Sequence, residues 1–379
     1  MRGTLNAAAG VIALAAATVI PAHPAHADSF RDDQWYLRSL KVSQAQAISK
    51  GAGVTVAIVD TGVYPHPDLQ HNLLSGINEV TGASDGRTDQ AGHGTNMAAI
   101  IAAHGRNSRD GVLGIAPSAK ILPIKISNKV NSMPSQLMAK GIDWATQHGA
   151  KVINVSAVTG PAFELDDAVS AAIKADTVVV AGVGNSSQTL LIGYPAAIDG
   201  VLAVGAVDRN NKLASFSIKD SKVQICAPGV GITTAQPKNK YSDVDGTSPS
   251  TAIVSGAAAL VRAKFPQLSA QDVIHRLTAT ADDIGPPGRD NQCGFGVLNI
   301  VKALTANVPP LESTASASPS ATATASTAAV PTTAPAGSNG AQNSTPSSSN
   351  TPVVVGGVVF GLALVGALLF LARRRRGSG

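Results

Sequence analysis

Along the middle of this chain, short uninterrupted apolar runs alternate with longer segments in which apolar positions return every three or four residues. The runs at 54–59, 121–126, 152–155, 177–181 and 201–207 are rich in Val, Ile and Ala and lack regular polar alternation, which predicts strands covered on both faces. The segments at 93–103, 135–148, 165–175 and 248–265 carry the helical period. Ser269-Ala270-Gln271-Asp272 has capping-box spacing and predicts a helix over 273–279. Strands interleaved with helices imply an α/β domain, a mostly parallel sheet with helices on both faces. No internal repeat is present.

The two ends follow other patterns. Residues 1–27 begin with Arg2, run apolar from about Ala7 to Ile20, and close on Ala25-His26-Ala27, the pattern of a secretory signal peptide cleaved after Ala27. From 308 to 352 the chain is dominated by Ser, Thr, Ala and Pro. Such a composition buries too little surface to offset its ordering entropy and predicts a disordered stalk, on the order of 100 Å when extended. Residues 353–372 are apolar and uncharged, long enough for a transmembrane helix. Arg373, Arg374, Arg375 and Arg376 follow, so residues 373–379 are expected in the cytoplasm and the bulk of the chain outside, at the cell membrane. The folded domain is then 28–307, with a short N-terminal extension over 28–50.

This partition changes the meaning of the charge. The net +5 comes from 29 basic against 24 acidic residues, and Arg2 with the four tail arginines supplies the whole excess. The outer portion is balanced, which argues against nucleic acid as a partner. Cys226 and Cys293 are the only cysteines. In an exported domain an even pair suggests a disulfide, here worth about 4 kcal/mol on the chain-entropy model; two buried free thiols are the other reading.

Three junctions carry candidate chemistry. In Val59-Asp60-Thr61-Gly62 an acid stands where a buried strand ends, held by the sheet and shielded from water, which suits orienting a histidine. Gly92-His93-Gly94-Thr95-Asn96 opens an apolar helix with its histidine between two glycines. Gly246-Thr247-Ser248-Pro249 opens a long helix of small residues, where the positive end of the helix dipole favours negative charge developing near Ser248. Pro249 in a first helical turn forfeits no needed hydrogen bond. Taken singly, these are a turn former, a surface histidine and a helix cap. Together and in the order Asp, His, Ser, they form a catalytic triad pattern.

In that order the three runs, with His66-Pro67-Asp68-Leu69 beyond the first, resemble the signature motifs of the subtilisin-like serine proteases, the subtilases. Gly114-Ile115-Ala116-Pro117, Val152-Ile153-Asn154-Val155-Ser156, Tyr194-Pro195-Ala196-Ala197 and Ala227-Pro228-Gly229 extend the match, over about 51–303. The resemblance implies a three-layer subtilisin-like fold and a serine endopeptidase acting on protein or peptide substrates. It makes Ser248 the nucleophile, His93 the general base and Asp60 its orienting acid. It makes Asn185 the side-chain oxyanion donor, and Ser156, Ala157 and Val158 the segment that binds substrate. No cofactor is implied. Asp85, Asp89 and Asp110 read as solvated loop acids rather than metal ligands, although subtilases often bind calcium. The overall organisation resembles the mycosins, membrane-anchored subtilases that accompany type VII secretion, which implies a type VII secretion complex as partner. Gln34-Trp35-Tyr36-Leu37 also resembles their N-terminal segment, and residues 28–53 are too few for a folded pro-domain.

The pattern is broken in places. After Ser248 the family's usual proline is Ala252, and the Val-Ala-Gly after the histidine is Met97-Ala98-Ala99. The usual Ser-Leu-Gly is Ser156-Ala157-Val158; a β-branched valine in place of glycine is expected to crowd the pocket for the residue before the cut. That departure raises a rival from another class, a catalytically weak scaffold of the same fold. An α/β-hydrolase esterase is excluded, because its Gly-x-Ser-x-Gly is absent around Ser248 and its triad order is reversed.

Overall fold

The computed structural model describes residues 29–107, 110–187 and 190–311. The predicted signal peptide, nearly all of the predicted stalk and the apolar stretch 353–372 lie outside them. Among the described residues no helix is long and apolar enough to cross a membrane.

Three short helices come first, α1 (Ser29–Asp33), α2 (Trp35–Ser39) and α3 (Val42–Ile48). The body then runs β1 (Thr55–Asp60), β2 (Ile77–Asn78), α4 (His93–Ala102), β3 (Lys120–Lys125), α5 (Ser135–Gln147), β4 (Val152–Val155), α6 (Phe163–Lys174), β5 (Val178–Gly182), β6 (Leu202–Val207) and β7 (Ile225–Pro228). A hairpin, β8 (Ile232–Gln236) and β9 (Lys240–Val244), precedes α7 (Thr247–Lys264), α8 (Ala270–Ala279) and α9 (Ile300–Thr305). Within 28–307, each strand and helix expected from the sequence is present within a few residues. The hairpin, β2, β7, α9 and the three opening helices were not anticipated.

The strands β2-β3-β1-β4-β5-β6-β7 form one sheet in that order, every neighbouring pair parallel. Alternate residues of each central strand serve different cores, which is why the strand sequences are apolar throughout. Val56 and Ile58 of β1, with Val178 and Val180 of β5, pack toward α4, α7 and α8. Ala57 and Val59, with Val179 and Ala181, pack toward α5 and α6. Each such fully buried Val or Ile side chain contributes roughly 1.5–3 kcal/mol. The result is the expected three layers.

Two details fix the ends of the domain. The capping box forms as its spacing predicts, Ser269 Oγ accepting from the Asp272 N–H and Asp272 receiving the Ser269 N–H. Cys226 of β7 and Cys293 are bridged, with Cα atoms 5.0 Å apart, tying the last strand of the sheet to the segment before α9.

Candidate active site

The carboxyl ends of parallel strands and the amino ends of the helices behind them converge on one edge of the sheet, where open α/β folds place their sites. Asp60 ends β1, Ser156 follows β4, and Asn185 follows β5. His93 begins α4 and Ser248 stands in the first turn of α7. A cleft of about 620 Å³ opens among them, lined by His93, Ser156, Val158, Asn185, Asp245 and Ser248, among others.

On one wall, the Asp60 carboxylate is fully buried and holds His93 Nδ1 with both oxygens at 2.8 Å. The Thr61 N–H donates to Asp60 Oδ1 at 2.7 Å and fixes the carboxylate's angle. Burial presses the His93 pKa down, but the Asp60 charge, its hydrogen bond and the Asp89 charge outweigh this and raise it above the ordinary value. The family spacing His93-Gly94 has a steric reason: a Cβ on Gly94 would collide with the Gly62 carbonyl oxygen.

On the other wall, the hydroxyl of Ser248 donates to the Ser156 carbonyl oxygen at 2.9 Å, and the Ser156 hydroxyl donates to the Ser248 carbonyl oxygen at 3.1 Å. Ser156 Oγ also accepts from Asn154 Nδ2 at 3.0 Å. Ser248 and His93 therefore face one cleft without a hydrogen bond between them, and the Ser248 hydroxyl would have to swing about its Cα–Cβ bond to meet the imidazole. Such bonds commonly tighten only when substrate is bound. Asn185 Oδ1 accepts the Thr247 N–H at 3.0 Å, which fixes the amide's orientation. Its Nδ2 lies beside Gly246, 3.3 Å from where a Cβ would stand. Among the described residues the Ser248 N–H meets no acceptor.

The structure thus gathers Asp60, His93, Ser248, Asn185, Ser156, Ala157 and Val158 in one place, as the motifs led us to expect. Val158 is half-buried and packs on Gly193: a Cβ there would lie 2.5 Å from the valine's Cβ. One expectation fails. Asp89 is not a solvated loop acid; it is 6% exposed and both its oxygens accept hydrogen bonds. Asp85 pairs with Arg87, and Asp110 with Arg106. Beside Asp110, the Arg31 guanidinium donates to the Gly111, Asp110 and Asn107 carbonyl oxygens. Among the described residues no group of three or more His, Cys, Asp or Glu side chains is placed to hold a metal ion. Lys125, only 2% exposed, was also missed, although a lysine in an otherwise apolar strand was a visible signal.

The model of the subtilase family, Peptidase_S8, matches residues 51–296. This chain belongs to the subtilase family. It is a subtilisin-like serine endopeptidase, a hydrolase. Subtilisin DY of Bacillus licheniformis is 41% identical over 271 residues, which span 70% of this chain and 96% of that protein. Among solved structures, MycP1 from Mycobacterium smegmatis is 30% identical, with a TM-score of 0.67 over 77% of this subtilase and 88% of that chain. The MycP3 protease from the type VII (ESX-3) secretion system is 32% identical, with a TM-score of 0.62 over 72% and 88%.

Proposed function

We propose that this subtilase is an extracytoplasmic endopeptidase, held at a cell membrane by residues 353–372, that cuts a narrow set of protein substrates beside a type VII secretion complex. The observation that carries the catalytic part is the two-oxygen grip of buried Asp60 on His93 Nδ1, with Ser248 across the same cleft. The likeness to MycP1 and MycP3 supports the secretion setting, and the tail arginines support the orientation.

In the proposed reaction, Ser248 Oγ leaves the Ser156 carbonyl, gives its proton to His93 Nε2 and bonds the scissile carbonyl carbon. Asp60 holds the tautomer that leaves Nε2 able to accept, and stabilises the imidazolium. The Ser248 N–H and Asn185 Nδ2 receive the oxyanion, a donor of this kind being worth about 3 kcal/mol. His93 then protonates the leaving amine, and water, deprotonated by the same imidazole, releases the acyl group. Val158, packed against Gly193, narrows the pocket for the residue before the cut and favours small side chains there.

The experiment is fluorophosphonate labelling of the full-length protein beside Ser248→Ala. Labelling of the wild type alone is expected. Absence of labelling in folded protein would favour a scaffold, a reading supported by the Ser248 hydroxyl being bonded to Ser156 rather than to His93.

A further inference from the structure

Behind the histidine stands a second buried acid that the triad does not use. The helix α4 starts with Gly92 as its N-cap, in the left-handed conformation at φ 85°, with no side chain to receive the free N–H groups of the first turn. Asp89, three residues upstream, supplies the missing acceptor. Its Oδ2 takes the Thr95 N–H at 2.9 Å and the Thr95 hydroxyl at 2.6 Å. Its Oδ1 takes the Gly92 N–H at 2.7 Å, the Ala91 N–H at 3.1 Å and the Thr61 hydroxyl at 2.9 Å.

Thr61 makes this more than a cap. Its hydroxyl donates to Asp89 and accepts the Gly94 N–H at 3.0 Å, while its own N–H donates to Asp60. The two carboxylates are thus joined through one fully buried threonine. The loop closes through His93, which is bonded to Asp60 and rooted in the turn that Asp89 holds. Lys125, at the end of β3, donates to the Thr61 carbonyl oxygen at 2.6 Å and to Gln90 Oε1 at 2.9 Å, and contacts neither acid directly. Burial lowers the Lys125 pKa, and the Asp89 and Asp60 charges oppose this.

The charges that act on His93 are Asp60 from β1 and Asp89 from the loop before α4, with exposed Asp245 across the cleft; Lys125 from β3 stands behind them, bonded to Thr61 and Gln90. Among the buried ones, two carboxylates and one ammonium leave one negative charge when the imidazole is neutral and none when it is protonated. The wall is balanced in the state that forms as Ser248 gives up its proton.

We propose that Asp89 is a positioning residue for His93 that also sets its basicity, with Lys125 as the opposing cation. The proposal rests on the assignment of His93 as general base. In this arrangement Asp89 stabilises the imidazolium as the proton arrives, and Lys125 keeps the histidine from being held protonated at working pH. A residue that merely capped α4 would affect folding and have no opposite in Lys125.

The test is the pH dependence of the second-order rate of fluorophosphonate labelling, measured on full-length wild type, Asp89→Asn and Lys125→Met. In this reaction Ser248 Oγ bonds phosphorus, fluoride leaves and the serine proton passes to His93, so the acid limb reports the imidazole of the free enzyme. For Asp89→Asn the plateau falls roughly tenfold through loss of positioning. Its acid limb moves to lower pH, so that one unit below the wild-type midpoint it keeps on the order of threefold more of its own plateau. For Lys125→Met the acid limb moves the other way. Should Asp89→Asn fail to fold, the Lys125→Met shift decides. Limbs that stay in place, or move together, overturn the proposal. If wild type does not label, the proposed function fails instead; NMR titration of His93 in the same proteins then reads the same opposite shifts, and their absence overturns this inference separately.

Discussion

The two walls of the cleft are held by different forces. The wall of β1 and α4 is organised by buried charge: Asp60 holds the imidazole, Asp89 holds the turn beneath it and Lys125 bonds Thr61 and Gln90 beside them, all three nearly inaccessible to water. The wall of β4, β5 and α7 is organised by neutral hydrogen bonds. Asn154 bonds the hydroxyls of Ser156 and Ser255, Ser156 and Ser248 exchange two bonds, and Asn185 is fixed by Thr247. Charge acts over distance and tunes a proton affinity, whereas a neutral bond acts only where its partner stands. The first wall therefore sets when the site can take a proton, and the second sets where the reacting carbonyl sits.

The largest effect is expected where charge and geometry coincide. Asp60→Asn leaves the shape but favours the wrong tautomer, and its labelling rate should fall by about 10⁴-fold. A fall below tenfold would remove Asp60 from the proposed triad. On the neutral wall, Asn185→Ala should lower peptide turnover by about 10²–10³-fold and leave the pH midpoint where it was. A shifted midpoint would mean that the walls are not separable. Smaller still is the effect at the pocket rim. Cleavage of a peptide library by Val158→Gly should gain roughly tenfold for large residues before the cut, relative to wild type, since hydrophobic pockets discriminate by about 1–3 kcal/mol. Wild type that already cuts rapidly after Phe or Leu would refute the narrow pocket.

The smallest effect lies in stability. His93 is raised above its ordinary 6.5 in the folded state, so its contribution is fully present below pH 6.5 and is lost as pH rises through the folded value. Urea unfolding of Ser248→Ala across that window should lose stability with rising pH, and adding His93→Gln should flatten the slope. A slope that survives His93→Gln would place the titration elsewhere, and not on buried His66. Its folded pKa is depressed by burial, against the Asp68 charge, and its own effect has the opposite sign, stability being lost as pH falls through the folded value.

What could be read in the sequence divides along similar lines. The five inner strands of the sheet were legible because burial on two faces leaves continuous Val and Ile runs, and Ser269 with Asp272 announced α8. The hairpin β8–β9 was not: Lys240-Tyr241-Ser242-Asp243-Val244 is half-exposed and polar, and its turn relies on left-handed Lys238 and Asn239 rather than glycine. The proposed triad was legible because each member stands on a motif with fixed neighbours. Asp89 was misread because its local sequence, Thr88-Asp89-Gln90-Ala91, looks solvated; its partners Thr61 and Thr95 reach it only once β1 and α4 are assembled. The bond between Ser248 and Ser156 joins residues far apart in the chain and left no local trace.

The placing of the nucleophile on α7 has a consequence for timing. This helix is buried along nearly its whole length and packs on β4, β5, β6, β7 and α4. A ribosome delivers Asp60 and His93 early and Ser248 late. Until α7 is made, the sheet lacks the helix that covers its middle, and parallel strands joined by long crossovers are slow to settle. The growing chain thus carries an acid and a base but no nucleophile. In the proposed triad, competence to cut therefore waits until α7 is made and packed against the sheet.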